Sequence, residues 1–545
     1  METFKRTLVP VVLIVALSVL AVGGSRYYLR RSLPIRSVVE QACGLPEEWL
    51  ERVRRGYFEE RSGQISLLPR TPAYMTSAAG GWTHTGPWPY VQRVPLVFYG
   101  PGIIPATGEV DRPATVADIA PTLATLMKGA LNTGDSRSLD EAARLDAPTL
   151  SRDPPRLVVT IVWDGGGWNV LERWPDAWPN LKAMMTEGVS YTDATVGSSP
   201  SVTPAVHATL GTGAFPWQHG VTDIPMRDDD GRVVDAFFDG ESSRFLEMRT
   251  LAEIWDEQNG NDALVAMVGY EPWHLGMIGK GAESPGGDKD DAAWLHHETN
   301  EWITNPEHYR LPPSLASREG LEGEIQRLDL ADGRDDDAWG EHDWIRDPDR
   351  IEESPAFVAY HAQAMMRMIE QEGYGDDDIT DLVFTNFKQP DRLGHYFNMR
   401  STEVRDAVAA SDRELGRLEE FLDREVGSGN WVIVVTADHG QQPDARDIDA
   451  YGVDSTELQR DLDDRFGEIT RRVWPTQAFL REDVMEDRGI DVAEVARFIS
   501  DYRLSDNTRR PDIKLAGAGQ FDPHDRLFAM AIPSRDLASI DCSGT

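Results

Sequence analysis

The stretch Leu157-Val-Val-Thr-Ile-Val-Trp163 is an apolar run broken only by Thr160, and Asp164-Gly165-Gly166 follows it at once. Such a run is typical of a strand in a parallel sheet, because helices cover both faces of that kind of strand. The glycines after Asp164 allow the backbone to approach a ligand closely. The stretch therefore predicts a central strand with a carboxylate just past its carboxyl end.

Two further apolar runs, Asp381–Phe387 and Trp431–Thr436, have the same character. A helical pattern over Glu403–Leu422 lies between them. Strands that alternate with helices in this way predict an α/β fold built on a doubly wound sheet.

Each of the three predicted strands is followed by side chains that bind metals. Asp164 follows the first strand, Asp391 and His395 follow the second, and Asp438-His439-Gly440 follows the third. Ligands bind beyond the carboxyl ends of strands in open α/β sheets. A single Asp after a strand is more often a cap, but three such strands together predict a site for zinc or a similar divalent ion.

A candidate nucleophile lies in the segment from Gly197 to Gly213, which reads Gly-Ser-Ser-Pro-Ser-Val-Thr203-Pro-Ala-Val-His207 and then Ala-Thr-Leu-Gly-Thr-Gly. Its proline-flanked hydroxyls precede a small-residue helix, so Thr203 is expected at a helix N-terminus that favours a phosphoryl group. A bound metal can activate such a hydroxyl. Taken alone, the segment is more typical of a Ser/Thr-rich helix cap without any chemistry.

As an ordered set, these motifs resemble the alkaline phosphatase superfamily. The nearest branch contains the type I phosphodiesterases, nucleotide pyrophosphatases and Thr-dependent alkaline phosphatases, and the resemblance covers most of residues 157–225 and 380–442. It implies a three-layer fold with cap insertions and a hydrolase of phosphate mono- or diesters that forms a phospho-threonine intermediate. It also implies two divalent ions, of the zinc class. One would be held by Asp164, Asp438, His439 and Thr203, and the other by Asp391, His395 and one more histidine.

The missing histidine lies on the wrong side of the chain for this family order. The only histidine after His439 is His524, whereas His84, in Thr83-His84-Thr85-Gly86, is followed by Val94–Gly100 and Asp118–Leu123. These segments resemble the family's C-terminal block, so we predict a circular permutation with His84 as the ligand. The predicted parts are a signal peptide or anchor (1–35), a displaced block (36–128), a linker (129–155) and the remaining catalytic domain (156–545), with caps at about 225–350 and 441–525.

The substrate-binding pattern departs from the resemblance in two places. The family places an Asn after the His-Gly pair, where this chain has Asp223 and Ile224. The monoesterase branch has a Lys-x-Arg pair, where this chain keeps only Lys280. Asp223, Lys280 and Arg227 are therefore the candidates for holding phosphate oxygens.

The formal net charge of −38 makes a nucleic acid polymer an unfavourable partner, because long-range repulsion opposes binding. A small phosphorylated substrate remains compatible with this charge, since metal ions reverse the local field. The apolar run from Leu8 to about Gly24, with basic residues on both sides, predicts export or membrane anchoring of the catalytic domain.

Cys43 and Cys542 are the chain's only cysteines. They flank the proposed cut on opposite sides, and an exported chain meets an oxidising compartment, so a disulfide between them is predicted. The alternative is two isolated cysteines and a disordered C-terminal tail.

Two other functions stay open at this point. A phospho-group transferase or mutase would use the same ions, and an inactive membrane-tethered binding protein would keep the fold alone. A sulfatase is disfavoured, because no Cys or Ser near Thr203 lies in a Cys/Ser-x-Pro-x-Arg setting. The acidic runs Asp228–Asp230, Asp288–Asp291, Asp335–Asp337 and Asp376–Asp378 are typical of solvated loops, with a calcium site at one of them as the alternative.

Overall fold

The computed structural model describes residues 36–71, 73–76, 83–129, 131, 138–139, 153–348, 350–444, 447–448, 450–507 and 522–543. The predicted anchor at 1–35 and most of the predicted linker at 129–155 lie outside these ranges. Within them, no helix has the length and apolar character needed to cross a membrane.

The described chain alternates strands and helices over most of its length. The strands are β1 (Ile65–Pro69), β2 (Tyr74–Thr76), β3 (Leu96–Tyr99), β4 (Gly108–Thr115), β5 (Leu157–Trp163), β6 (Val189–Thr195), β7 (Pro225–Arg227), β8 (Val233–Asp235), β9 (Val265–Val268), β10 (Asp291–His296), β11 (Glu301–Ile303), β12 (Asp381–Phe387), β13 (Trp431–Thr436), β14 (Gly452–Asp454), β15 (Thr470–Trp474), β16 (Gln477–Leu480) and β17 (Phe528–Pro533). The α-helices are α1 (Val38–Ala42), α2 (Glu47–Arg55), α3 (Pro89–Gln92), α4 (Ile119–Leu126), α5 (Trp168–Leu171), α6 (Pro179–Glu187), α7 (Thr203–Thr212), α8 (Pro216–His219), α9 (Leu251–Gln258), α10 (Leu321–Asp329), α11 (Pro355–Glu372), α12 (Gln389–Phe397), α13 (Thr402–Leu422), α14 (Ser455–Phe466), α15 (Glu482–Arg488) and α16 (Val492–Ser500).

A nine-stranded sheet in the order β11-β10-β9-β12-β5-β13-β3-β6-β4 forms the centre of the molecule. The strands from β10 to β13 in this order are parallel to one another, and β3 runs antiparallel to both of its neighbours. Residues Val159 and Ile161 of β5 pack into a core with α6, α11 and α13, whereas Val158 and Val162 pack into a second core with α4, α7 and α9. Because β5 is covered on both faces, it has the continuous apolar pattern seen in the sequence. The predicted three-layer α/β fold is confirmed.

A smaller antiparallel sheet, ordered β15-β16-β1-β17, joins the two ends of the described chain. Strand β1 pairs with β17 through Ser66 opposite Ile532. Gln41 of α1 accepts a hydrogen bond from the Ala531 amide at 3.0 Å. Cys43 and Cys542 form a disulfide with their Cα atoms 5.5 Å apart. The predicted pairing of these cysteines is confirmed.

Removal of the disulfide is expected to destabilise the protein without changing its activity. It links residues 499 positions apart, so it restricts the unfolded chain strongly. We expect the double variant Cys43→Ser/Cys542→Ser to lose about 2–4 kcal/mol of unfolding free energy in a denaturant titration. Wild-type protein kept reduced serves as the matched control and should lose the same amount. Equal denaturation midpoints for the oxidised, reduced and variant proteins would contradict this expectation.

The predicted cap at 225–350 needs a correction. Residues 265–268, 291–296 and 301–303 form β9, β10 and β11, which belong to the central sheet. Strand β9 pairs in parallel with β12, with Ala266 opposite Val383. The sequence conceals this because β9 is only four residues long and lies among Asp-, Gly- and Trp-rich segments. Much of the second predicted insertion, 441–525, contributes β14–β16 and α14–α16 around the smaller sheet.

Candidate active site

Three neighbouring strands of the central sheet end at the same edge. Strands β12, β5 and β13 are adjacent and parallel, and Asn386 and Thr436 both lie opposite Val162 of β5. The residues that follow these strands are therefore brought together, as the sequence predicts. Gly165, at φ +66°, allows the loop after β5 to lie close to Asp391, since a Cβ atom on this glycine would lie 3.0 Å from the Cβ of Asp391.

Asp164, Asp438 and His439 form the first cluster of ligand-type side chains. Each of the three offers an atom within 4.8 Å of the other two, and all are buried. Asp164 Oδ1, Asp438 Oδ2 and His439 Nε2 have no hydrogen-bond partner within the described part of the chain. The His439 Nδ1 proton is donated to the Gly440 carbonyl at 3.0 Å, which leaves Nε2 with a lone pair. Burial lowers the pKa of His439 to about 3, so the imidazole is neutral and able to bind a metal.

His84, Asp391 and His395 form the second cluster. His84 Nε2 lies 3.7 Å from Asp391 Oδ1, and His395 Nε2 lies 3.3 Å from the same oxygen. The His84 Nδ1 proton is donated to the Ser201 carbonyl at 3.0 Å, so Nε2 faces the carboxylate with its lone pair. Asp391 and His395 occupy successive turns of α12, as their spacing predicts. His395 is the exposed member of the cluster, with 40 % of its side chain accessible.

The two clusters are contiguous. The ring of His84 stacks on that of His439 with their centroids 3.5 Å apart, and His84, Asp391 and His439 also lie within the distances of a metal site. The structure thus brings together six of the seven side chains that the sequence predicts as ligands, and the seventh is Thr203. Carboxylate oxygens and imidazole nitrogens that accept no hydrogen bond are the ligand atoms expected in a site for divalent ions. The residues present therefore fit the predicted cofactors.

Thr203 is the first residue of α7 and is 2 % exposed. The first hydrogen bond of this helix runs from the Val206 amide to the Val202 carbonyl at 3.1 Å, so the amides of Thr203 and Ala205 precede it. A helix start of this kind attracts anions through free amides and the helix dipole. The side chain of Thr203 thus lies where a phosphoryl group would be favoured.

Lys388 also belongs to this site, although it was not predicted from the sequence. Its Nζ lies 2.6 Å from Asp391 Oδ2, 3.1 Å from Asp164 Oδ2 and 3.5 Å from Thr203 Oγ1. Burial works against its charge, but the carboxylates of Asp164 and Asp391 outweigh burial and raise its pKa. Its position three residues before Asp391, at the turn into α12, is the signal that could have identified it.

A cavity of 330 Å³ opens over these residues. One part of its wall is polar and includes Thr203, Lys388 and Glu271, and another part is aromatic. The aromatic wall consists of Trp273, Tyr396 and Trp474. The complete lining is Thr83, His84, Thr85, Val202, Thr203, Ile224, Glu271, Trp273, Lys388, Asp391, Arg392, His395, Tyr396, Trp474 and Pro475.

The three predicted phosphate-binding residues are not among those that line the cavity. Arg227 Nε donates to the Ser62 carbonyl at 2.8 Å, and the Lys280 amide lies against Glu253 at 3.3 Å. Asp223 is buried and accepts a hydrogen bond from Gln477 Nε2 at 2.9 Å, and burial raises its pKa to about 6. Its two side-chain partners, Thr476 and Gln477, come directly after the cavity-lining residues Trp474 and Pro475 in the chain. Asp223 therefore supports the cavity wall from behind.

His207 lies on α7 and His219 is the last residue of α8, and both are buried and are not among the residues that line the cavity. His207 Nδ1 lies 2.8 Å from His274 Nδ1, and His207 Nε2 lies 3.8 Å from Asp438 Oδ2. His219 Nδ1 accepts the Val221 amide proton at 3.2 Å, so Nε2 donates to Thr209 Oγ1 at 3.1 Å.

His219 predicts a pH dependence of stability. Burial lowers its pKa to about 3, below the unfolded value of about 6.5. Between these two pKa values the unfolded state binds a proton at His219 and the folded state does not. The stability that the neutral histidine contributes above about pH 6.5 is therefore lost as the pH falls towards 3. His219→Asn keeps an acceptor for the Val221 amide but has no group that titrates in this range. As the pH falls from about 6.5 to about 5, we expect its free energy of unfolding to decrease by about 2 kcal/mol less than that of wild type. Denaturant titrations at both pH values measure this difference, and identical losses in the two proteins would contradict it.

Known proteins are similar to this chain in sequence and in fold. The chain is 22% identical over 410 residues to alkaline phosphatase PafA of Elizabethkingia meningoseptica, which covers 66% of this chain and 74% of that protein. It is 23% identical over 441 residues to alkaline phosphatase PhoV of Synechococcus elongatus, which covers 67% of this chain and 75% of that protein. The crystal structure of wild-type PafA matches the fold with a TM-score of 0.54 at 21% identity, covering 64% of this chain and 76% of that one.

The family described as type I phosphodiesterase / nucleotide pyrophosphatase matches residues 158–522, which is more than half of the chain. These residues contain Asp164, Thr203, Asp391, His395, Asp438 and His439. The chain therefore belongs to the type I phosphodiesterase / nucleotide pyrophosphatase family, within the alkaline phosphatase superfamily, and is a phosphoric ester hydrolase.

Proposed function

We propose that this enzyme hydrolyses phosphate mono- or diesters through a phospho-threonine intermediate on Thr203, with two divalent ions of the zinc class as cofactors. The observation that carries the proposal is the set of buried acceptors without donors beside a helix start. Asp164 Oδ1, Asp438 Oδ2 and His439 Nε2 accept no hydrogen bond within the described part of the chain. Asp391 Oδ1 has only the histidines of its own cluster beside it, and Thr203 begins α7 next to these atoms. Buried acceptors of this kind are costly unless a cation satisfies them.

The proposed ligands divide into two groups. Asp164, Asp438, His439 and Thr203 would hold one ion, and Asp391, His395 and His84 would hold the other. When bound, such ions polarise phosphoryl oxygens and lower the pKa of a nearby hydroxyl.

Thr203 performs the chemistry in two displacements. Its Oγ attacks phosphorus as the ester oxygen leaves, which forms phospho-threonine and releases the alcohol. Water then attacks the same phosphorus, releases phosphate or a monoester, and restores the hydroxyl. The amides at the start of α7 favour the phosphoryl group in both steps.

Lys388 takes the role of the cation that the sequence assigned to Lys280 or Arg227. Its Nζ lies 3.5 Å from Thr203 Oγ1, so it is placed to stabilise charge that develops on the phosphoryl group. We expect Lys388→Met to lower kcat/KM by about 10²-fold, as for other lost electrostatic donors. Metal content measured in parallel separates this effect from loss of cofactor. Wild-type kcat/KM at full metal content would contradict the assignment.

A substrate panel tests the proposed reaction. The panel contains nitrophenyl monoesters and diesters, with and without added zinc, and the aromatic wall of Trp273, Tyr396 and Trp474 would contact the organic group. We expect zinc-dependent release of nitrophenol and of phosphate or its monoester without any added acceptor. Turnover that requires a second acceptor would instead indicate a transferase, and no turnover on any ester would indicate an inactive binding protein.

The chain order supports a circular permutation as part of the proposal. His84, which precedes all the other ligands in sequence, lies 5.2 Å from His395 between ring centroids. Strands β3 and β4, from the same N-terminal block, extend the central sheet beyond β13. Export of the protein is also proposed, since the Cys43–Cys542 disulfide is typical of an oxidising compartment.

A further inference from the structure

A second group of carboxylates lies outside the active site. Asp256 is near the carboxyl end of α9, and Asp288 and Asp290 are on the segment that leads into β10. Each of these three residues offers a carboxyl oxygen within 4.8 Å of the oxygens of the other two. None of them lines the 330 Å³ cavity. The cluster therefore needs an explanation that is independent of catalysis.

Asp256 is a buried member of this cluster and has one unsatisfied carboxyl oxygen. Its side chain is 5 % exposed, and its Oδ1 finds no hydrogen-bond partner among the described residues. Asp290 is 9 % exposed, whereas Asp288 is open to solvent. Like charges that are buried at this separation repel one another, and burial adds a desolvation cost. The arrangement is stable only if a proton or a cation enters it.

The basic side chains near the cluster are directed elsewhere. Lys289 Nζ donates to the Pro306 carbonyl at 2.5 Å, and Arg310 pairs with Asp291 at 2.6 Å. Arg249 pairs with Glu257. In keeping with this, burial and then Asp288 raise the pKa of Asp256 to about 7, and burial followed by Asp256 and Asp288 raises that of Asp290. The charged groups that affect the pKa of Asp290 most strongly are all carboxylates, so none of them is a counter-charge.

We propose that Asp256, Asp288 and Asp290 bind one hard divalent cation of calcium size, which fastens the carboxyl end of α9 to the segment that leads into β10. All three ligands are carboxylate oxygens, which suit calcium, and the cluster contains no imidazole or thiolate that would favour zinc. The exposed side of Asp288 leaves room for water to complete the coordination shell. The site stabilises the fold, and its occupancy does not control turnover.

Calcium titration of the zinc-loaded full chain tests this proposal. We compare wild type with Asp288→Asn, which alters an exposed ligand and so preserves folding, and with Asp376→Asn, which alters a different exposed acidic run. We expect 1 mM calcium, roughly a hundredfold above a micromolar-range Kd, to raise the thermal midpoint of wild type and Asp376→Asn by at least about 2 °C. Asp288→Asn should show no such shift. Isothermal titration should find one more calcium ion per chain in wild type than in Asp288→Asn.

Two results would overturn the proposal. One is the same calcium response in wild type and Asp288→Asn, which would assign the effect to other groups. The other is no calcium response in wild type. If the Asp256→Asn variant is then more stable than wild type above about pH 7, a shared proton rather than a cation relieves the repulsion. Ester hydrolysis is unaffected in either case, so the test is separate from that of the proposed reaction.

Discussion

Thr203→Ala is expected to lower kcat by at least about 10³-fold while leaving the metal content near that of wild type. The variant removes the oxygen that would attack phosphorus and keeps the side chains of both ligand clusters. Thr203 lies at the first position of α7 and is 2 % exposed, so the smaller alanine leaves the helix start intact. Steady-state kinetics on the best ester of the panel measure the change.

Thr203→Ser is the matched control for this variant. It retains a hydroxyl at the same helix position, so it should keep a substantial part of the activity with the same metal content. An alanine variant that turns over as fast as the serine variant would exclude Thr203 as nucleophile. A loss of metal in the alanine variant alone would instead assign Thr203 mainly to holding an ion.

His84→Ala is expected to remove one of two ions and to lower kcat by at least about 10²-fold, since even residues that merely orient ligands cost 10–100-fold. His84 Nε2 faces Asp391 Oδ1 at 3.7 Å, and its Nδ1 is fixed by the Ser201 carbonyl. Without the imidazole, Asp391 and His395 are too few to retain an ion tightly. Metal analysis of purified protein, alongside kinetics, measures both effects.

His524→Ala is the control that also tests the chain order. His524 follows the other ligands in sequence, as the family order would require, but it is exposed and its amide bonds Asp522. We expect this variant to keep both ions and wild-type activity. If His524→Ala lost an ion and His84→Ala did not, the proposed permutation would be wrong.

The strands and their end residues could be predicted because burial on both faces gives a continuous apolar run. Thus β5, β12 and β13 match the predicted spans, Asp164 follows β5 directly, and one residue separates Asp438 from the end of β13. The disulfide was predicted for a different reason, because Cys43 and Cys542 flank the proposed cut and an exported chain meets an oxidising compartment. Sequence order alone could not place His84 beside His395, and that inference required the family resemblance.

Other features depend on tertiary contacts that the sequence does not display. Lys388 gains its role from carboxylates that only the folded chain brings within reach of its Nζ. Asp223 was expected at the substrate, but hydrogen bonds from Thr476 and Gln477 hold it behind the cavity wall. Strand β9 is too short for its apolar pattern to stand out, so the region around it was interpreted as a cap.

The most direct test of the proposed two-metal site is an anomalous difference map at the zinc edge, from crystals of the zinc-reconstituted enzyme. We expect two peaks about 4 Å apart. One should lie about 2 Å from ligand atoms of Asp164, Asp438 and His439, and the other at that distance from Asp391, His395 and His84. A single peak, or a second ion held by residues that exclude His84, would contradict the proposed site.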